Sequence, residues 1–245
     1  TYTPTGSGIR SASLDVASND PSSPFALPLS GGIRQVTQTD DFESGLGNWS
    51  HSTGFDFDWR RDSNGTGSSD TGPDAAQQGS WYMYTEGSSN NDSTAGMETT
   101  VDLSCRADTV LAFIYHMFGA NIDVLHLDVH DGTTWTMSHW CKLKQQHGAE
   151  TQTWDYATVD LSAWDGLPAV TLRFRGVTGS SFRSDTAIDA IEVRSAVDAA
   201  DFSSWMGGYT SLTGGDATET ATPMNDGVTN LAKYAFGMDP TEGYH

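Results

Sequence analysis

The chain is 245 residues long, carries 32 acidic against 12 basic side chains, and has a formal net charge of −20. A field of that sign repels nucleic acid and anionic membrane surfaces, so neither is an expected partner, while divalent cations are drawn in. No run of about 18 apolar residues occurs, which excludes a membrane-spanning helix.

Charged residues make up only 18% of the chain, and Gly, Ser, Thr, Asn and Asp fill the spaces between short apolar runs. That spacing predicts many short strands joined by turns, an all-β sandwich. The opening Thr-Tyr-Thr-Pro-Thr has no leader pattern and reads as the start of a mature product or a fragment. Few lysines and abundant Asp fit a secreted protein. In that setting Cys105 and Cys141 are expected to close one disulfide, two buried thiols being the alternative.

In chain order, residues 9–16 alternate apolar and polar side chains, residues 18–21 signal a turn, and residues 25–29 read as a second short strand. With Thr3-Pro4-Thr5 before them and Leu27-Pro28-Leu29-Ser30-Gly31 closing them, residues 1–35 resemble the last strands of an immunoglobulin-like repeat. The families it is similar to, Hydin and choice-of-anchor, imply a large bacterial surface protein. Two strands alone are marginal in water. They must pack on the next domain, pair with another chain or stay mobile, and an open sheet edge invites strand addition from a neighbour.

Residues 54–89 organise the main domain. Phe55, Phe57 and Trp59 alternate with Asp56, Asp58 and Arg60, which predicts a strand with one apolar face; residues 81–84 predict a second, entered from a glycine. Further strand-length runs lie at 110–115, 124–130, 134–137, 170–175 and 187–193. Asp41-Phe42-Glu43-Ser44-Gly45, the alternating aromatics, Thr71-Gly72-Pro73, residues 79–89, 113–119 and 186–193 occur in an order that resembles a MAM domain over residues 40–195. The resemblance implies a jelly-roll sandwich of two antiparallel sheets and a non-catalytic adhesion or recognition module. Two departures stand out: animal members usually carry more cysteines, and the family's closing Asp-Asp-Ile is here Asp189-Ala190-Ile191.

Residues 198–245 change character. Residues 201–206 and 231–236 have apolar side chains at helical spacing, with Asp198 or Asp201 as N-cap and Gly207 and Gly237 as stops. The segment resembles a helix–loop–helix tail of the dockerin or EF-hand type. Setting Gly227 at the sixth place of a calcium loop puts Thr222, Met224, Asp226 and Lys233 at the first, third, fifth and twelfth. Met lacks an oxygen and Lys brings a positive charge, so only Asp226, Asn225 or Asn230 remain as ligands. The loop reads as degenerate, a packed turn without its ion.

Calcium is expected instead in the main domain. Glu43 lies at its start, Asp70 and Asp74 flank the Thr-Gly-Pro turn, and Asp189 sits on its last strand, adjacent to the first in jelly rolls of this kind. Those four carboxylates with loop carbonyls would supply a hard oxygen shell and tie the domain's ends together. Solvated acids on an acidic protein are the ordinary alternative. His126, Asp128 and His130 share one strand face and suggest zinc, but same-side neighbours lie about 6.6–6.8 Å apart, too far for the outer pair to share an ion easily.

No nucleophile elbow, zinc-protease helix, Walker loop or dinucleotide turn occurs. The expectation is therefore not an enzyme but an extracellular module of adhesion or assembly, making protein contacts in a bacterial surface or filamentous structure. Identical subunits joined by strand addition through residues 1–35 are the expected partners. The alternative is a carbohydrate-binding accessory module of a secreted hydrolase, with Trp135, Trp140, Trp154, Trp164 and Tyr156 as candidates to stack on a glycan.

Overall fold

The computed structural model describes the backbone of residues 8–16, 25–33 and 35–197 and the side chains of 36–196. In the tail it describes residues 206, 209, 211–218, 220–225, 227–230, 233 and 240–243. The chain forms two compact units, Val36–Ser104 with Asp108–Arg194, and Thr1–Gln35 with Cys105–Ala107 and Ser195–His245.

β1 (Gly8–Val16) and β2 (Phe25–Ile33) pair antiparallel over their full length, from Gly8 opposite Ile33 to Val16 opposite Phe25. They form a two-stranded sheet of their own. In the tail, Met206, Asn230 and Lys233 are helical and Gly214–Ala217 is a turn of 3-10 helix; the rest of the helices expected at 201–206 and 231–236 lies outside the described residues.

The remaining strands are β3 (Gln35–Asp40), β4 (Ser50–His51), β5 (Arg60–Asp62), β6 (Tyr82–Thr85), β7 (Thr94–Val101), β8 (Arg106–His116) and β9 (Val124–His130). They continue with β10 (Trp135–Leu143), β11 (Asp155–Asp160), β12 (Val170–Val177) and β13 (Thr186–Val197). One sheet runs β10-β9-β12-β7-β4, the other β11-β8-β13-β6-β5 with β3 beside β13. Their strands pair antiparallel, giving the all-β sandwich of two sheets that the sequence predicts.

Period-two patterning makes the core. Along β12, Val170, Leu172 and Phe174 are buried while Thr171, Arg173 and Arg175 face outward; β9 buries Leu125, Leu127 and Val129 the same way. Phe174 meets Phe113 edge-on at 4.8 Å and Trp49 at 5.2 Å, and Trp140 closes on Phe113 at 5.1 Å. Aromatic pairs at such distances add to area burial. A smaller apolar cluster of Tyr82, Tyr84, Trp154 and Ala187 lies apart from this core. Since Ala187 alternates with core-facing Ile188 on β13, the cluster occupies that sheet's outer face.

The stretch expected as a strand at 55–60 is not one until Arg60. Its alternation is real, for Trp59 is buried while Asp56 and Asp58 are exposed. Asp56, however, takes the amide and hydroxyl of Thr94 on its own carboxylate, at 2.8 and 2.9 Å. The amides of Asp56 and Phe57 both point at the single carbonyl of Thr94, at 2.9 and 3.3 Å. The side chain replaces the ladder, and only a bridge from Phe57 to Ala95 forms.

Candidate functional site

The turn after β3 carries Glu43. Asp40 fixes it, its carboxylate accepting the Trp49 indole at 3.0 Å and the Asn48 amide at 2.8 Å. Arg61 holds it from β5, donating to the carbonyls of Phe42 at 2.5 Å and Glu43 at 2.7 Å while its guanidinium lies 3.7 Å over Trp81. Glu43 Oε1 accepts the amides of Ser80 and Trp81 at 2.7 and 2.8 Å. Gly79 turns there with φ +62°, and a Cβ on it would stand 2.3 Å from Oε1, so the carboxylate occupies the space a side chain would need.

Asp189 meets this turn from β13, the neighbour of β3. It is wholly buried; Oδ1 accepts the Ala190 amide at 2.6 Å, and Oδ2 has no hydrogen bond of normal geometry. Burial pushes its carboxyl up to about 7; the amides of Ala190 and Gln78 pull it down, and the charges of Glu43 and Asp41 push it further up. An orphaned buried carboxylate oxygen under pressure from a second carboxylate fits a hard cation, which would relieve both. Among the described residues no three acidic, His or Cys side chains converge on one point. Of the four expected ligands, Glu43 and Asp189 are the two that act on one another, and any ion between them would need carbonyls for the rest of its shell.

Asp70 and Asp74 are used differently. The Asp70 carboxylate pairs with Arg183 at 2.9 Å, and its amide donates to Glu150 Oε1 at 2.6 Å. The Asp74 amide donates to the Glu150 carbonyl at 3.2 Å. A buried acid not singled out from the sequence is hydrogen-bonded to the Thr-Gly-Pro turn. Asp185 accepts Gly87 N–H at 2.7 Å, its own amide donates to Thr71 Oγ1 at 2.9 Å, and its Oδ2 is without a normal hydrogen bond. Burial raises its carboxyl to about 7 against the Thr66 hydroxyl and the Gly87 amide. Its signal is the spacing Asp185–Asp189 across the apolar Ala187-Ile188 pair.

The outer face of the five-stranded sheet gathers a second constellation. Asp128, wholly buried on β9, is gripped by two arginines of β12: Arg175 Nε at 2.8 Å and Nη2 at 3.1 Å, Arg173 Nη2 at 3.1 Å and Nε at 3.3 Å. The Ser138 amide adds 2.7 Å. Burial alone would raise the Asp128 carboxyl, but Arg175, Ser138 and Arg173 overcome it and hold it below the usual range. The face read as a zinc candidate, His126-Asp128-His130, is thus an ion-pair network, with Asp128 filled by guanidinium donors. Arg173 also lies 3.6 Å over Trp135 and 5.3 Å from Phe55. Phe55 in turn covers Gly96, where a Cβ would meet its ring at 2.6 Å.

The aromatic candidates divide. Trp154 and Trp164 are buried, and Trp140 packs against the core. Trp135 has Arg173 on its ring and His130 beside it at 4.9 Å. Tyr156 on β11 is open to solvent, as are Met137 and Leu143 on the edge strand β10. The disulfide expectation is corrected: Cys105 and Cys141 are both exposed with free thiols. Cys141 lies on β10 of one sheet, and Cys105 precedes β8 of the other.

Residues 41–197 match the family described as MAM domain, meprin/A5/mu. Among solved structures, the chain is similar to the K2 cleaved adhesin domain of Lys-gingipain at 19% identity, over 64% of this chain and 96% of that one, TM-score 0.45. The K1 cleaved adhesin domain of Lys-gingipain from Porphyromonas gingivalis W83 aligns at 16% identity over 64% and 96%, TM-score 0.43. TmCBM61 in complex with beta-1,4-galactotriose aligns at 18% identity over 62% and 92%, TM-score 0.42.

Proposed function

The chain belongs to the MAM domain family, an adhesion-type module, and we propose that it serves outside the cell as a non-catalytic unit joining protein to protein. The observation that carries this reading is the two-stranded sheet β1–β2, whose outer edges have no partner strand among the described residues. Such a ribbon gains most by adding to a sheet of another chain, where backbone hydrogen bonds supply affinity and side chains supply register. Identical subunits linked this way, head to tail, would form a filament or array.

Calcium belongs to the same proposal. Held by Glu43 and Asp189, the ion would supply a fixed positive charge that pins the turn after β3 to β13 and stiffens the sandwich. The exposed Met137 on β10, whose sulfur lies 3.5 Å from Arg173 Nη2 beside the Trp135–Arg173–Phe55 stack, offers a further side-chain contact surface of the kind found at interfaces. The carbohydrate-module reading is weaker. Stacking on a sugar needs a free aromatic face, and Tyr156 is the one strongly exposed member of the five aromatic candidates.

Light scattering on the full chain and on a variant lacking residues 1–35 tests the proposal. The full chain is expected to form species above the 26.3 kDa of one copy, and the shortened variant to stay monomeric. Equal masses for the two would sink strand addition. A specific polysaccharide ligand without self-association would favour the carbohydrate module.

A further inference from the structure

The chain contains one Asn-Gly pair, Asn64-Gly65, and it lies in the loop that leaves β5. An asparagine side chain can react with the backbone that follows it. The next residue's nitrogen attacks the side-chain amide carbon, and glycine, lacking a Cβ, leaves that approach open. The Asn64 side chain is exposed, and its Nδ2 donates only to the Ser63 hydroxyl, at 3.3 Å. The Gly65 amide donates no hydrogen bond among the described residues. Asn48 shows the contrast: its Nδ2 donates to the Asp40 carboxylate at 2.9 Å, and a bulky Trp49 follows it.

What the fold adds is Tyr82. This side chain on β6 is wholly buried, and its hydroxyl donates to the carbonyl of Asn64. That carbonyl belongs to the same peptide unit as the Gly65 nitrogen. The attacking form of the nitrogen has lost its proton, and the negative charge then rests mainly on the carbonyl oxygen. A fixed donor on that oxygen stabilises the charge, as an oxyanion hole does. Burial, and after it the charge of Asp62, raises the pKa of the Tyr82 hydroxyl, so it stays a donor in alkaline solution. The loop is held on both sides of the pair. Asp62 accepts the amides of Ser63 and Asn64 at 2.7 and 3.2 Å, and the buried Thr66 donates its hydroxyl to the Thr71 carbonyl at 3.3 Å.

We propose that Asn64 is a site of self-modification, where the Gly65 nitrogen closes on the Asn64 side-chain carbon while the Tyr82 hydroxyl stabilises the developing charge. The new C–N bond makes a five-membered succinimide. The side-chain nitrogen leaves as ammonia, taking up the proton that the Gly65 amide gives to solvent. Water then adds to either ring carbonyl: one opening gives aspartate, the other isoaspartate, whose main chain is one carbon longer. Water is the only co-reactant, and nothing is oxidised or reduced. Either product places one further negative charge beside Asp62. Isoaspartate also lengthens the path between the Tyr82 contact and buried Thr66, so the loop that leads to Asp70 and Asp74 changes as the molecule ages.

Mass spectrometry of the full chain, held folded at mildly alkaline pH, reads the reaction as a gain of one mass unit on peptides containing residue 64. Wild type is expected to gain it, as two separable products. Folded Tyr82→Phe should be slower by about fivefold, the worth of one ordinary hydrogen bond, while the two chains unfolded in guanidinium chloride should react alike. Gly65→Ala should be far slower in both states. A Cβ there would meet the Pro73 carbonyl at 3.5 Å, an ordinary contact, so the fold accepts that variant. Folded wild type that stays unmodified while the unfolded chain is converted would overturn the proposal, and needs no variant to read. Folded Tyr82→Phe that matches folded wild type would overturn it as well.

Discussion

The imidazoles of His116 and His147 lie stacked 4.2 Å apart, their planes 25° from parallel, both wholly shielded from solvent. His147 Nδ1 accepts the Met117 amide at 3.0 Å, which leaves the proton on Nε2, 4.0 Å from Asp155. Neither nitrogen of His116 makes a hydrogen bond of normal geometry. Burial lowers its pKa to about 4, with His147 adding to the shift and the nearby backbone of Ala149 and Gln152 opposing it.

A base depressed on folding binds its proton more readily in the unfolded chain. Stability is therefore full above the unfolded value of 6.5 and drains away as pH falls towards 4. The loss is about 3 kcal/mol. Asp185 and Asp189, raised to about 7, run the other way over the same window, since stability linked to a raised carboxyl is lost as pH climbs through its folded pKa. Comparing wild type with His116→Phe cancels them. The variant is expected to lose less stability than wild type in urea titrations between pH 6.5 and 4; parallel curves would show that the pair does not titrate as argued.

Calcium is expected to raise the melting midpoint of the sandwich and EDTA to lower it. Asp189→Asn or Glu43→Gln should erase the difference, because each removes one of the two charges facing the ion. Asp70→Asn should keep it, since that carboxylate answers Arg183. Differential scanning calorimetry of the four proteins reads all of this, and a calcium response surviving in Asp189→Asn would remove the site.

Legibility in the sequence depends on range. β9 and β12 are legible because Leu125-Leu127-Val129 and Val170-Leu172-Phe174 repeat at a period of two within one strand. β7 (Thr-Ala-Gly-Met-Glu-Thr-Thr-Val) and β11 carry few large apolar residues and give no such signal. Phe55-Asp56-Phe57 carries the signal without the ladder, because a carboxylate can satisfy backbone amides as a strand would. That Glu43 and Asp189 lie close enough for one charge to act on the other is reachable through the family resemblance, which grouped them with Asp70 and Asp74. The diversion of Asp70 to Arg183, and the closure of Arg173 and Arg175 on Asp128, depend on register between distant strands that no local pattern encodes.

Asp128→Ala should be among the most damaging single changes in the sandwich. It leaves two guanidiniums, both largely covered, without their counter-ion. Breaking a buried pair from one side costs about 3–5 kcal/mol, whereas replacing every member by apolar residues is often neutral. Asp128→Leu combined with Arg173→Met and Arg175→Met is therefore expected to recover much of the loss in chemical denaturation. If the single change costs no more than an ordinary surface substitution, the network contributes packing alone.

Gly79→Ala separates backbone strain from crowding at the proposed calcium site. At φ +62° any Cβ is strained, and here it would also stand 2.3 Å from Glu43 Oε1. Gly54→Ala, at φ +83° with nothing within 4 Å, carries the strain without the clash. Both should lose about 1 kcal/mol for the left-handed backbone. The Gly79 variant should lose more, because the carboxylate must leave the amides of Ser80 and Trp81, and its melting midpoint should no longer respond to calcium. Isothermal titration with calcium alongside thermal melts distinguishes the cases: equal losses and unchanged calcium binding in both variants would mean that Glu43 can move aside at no cost and is not fixed by this turn.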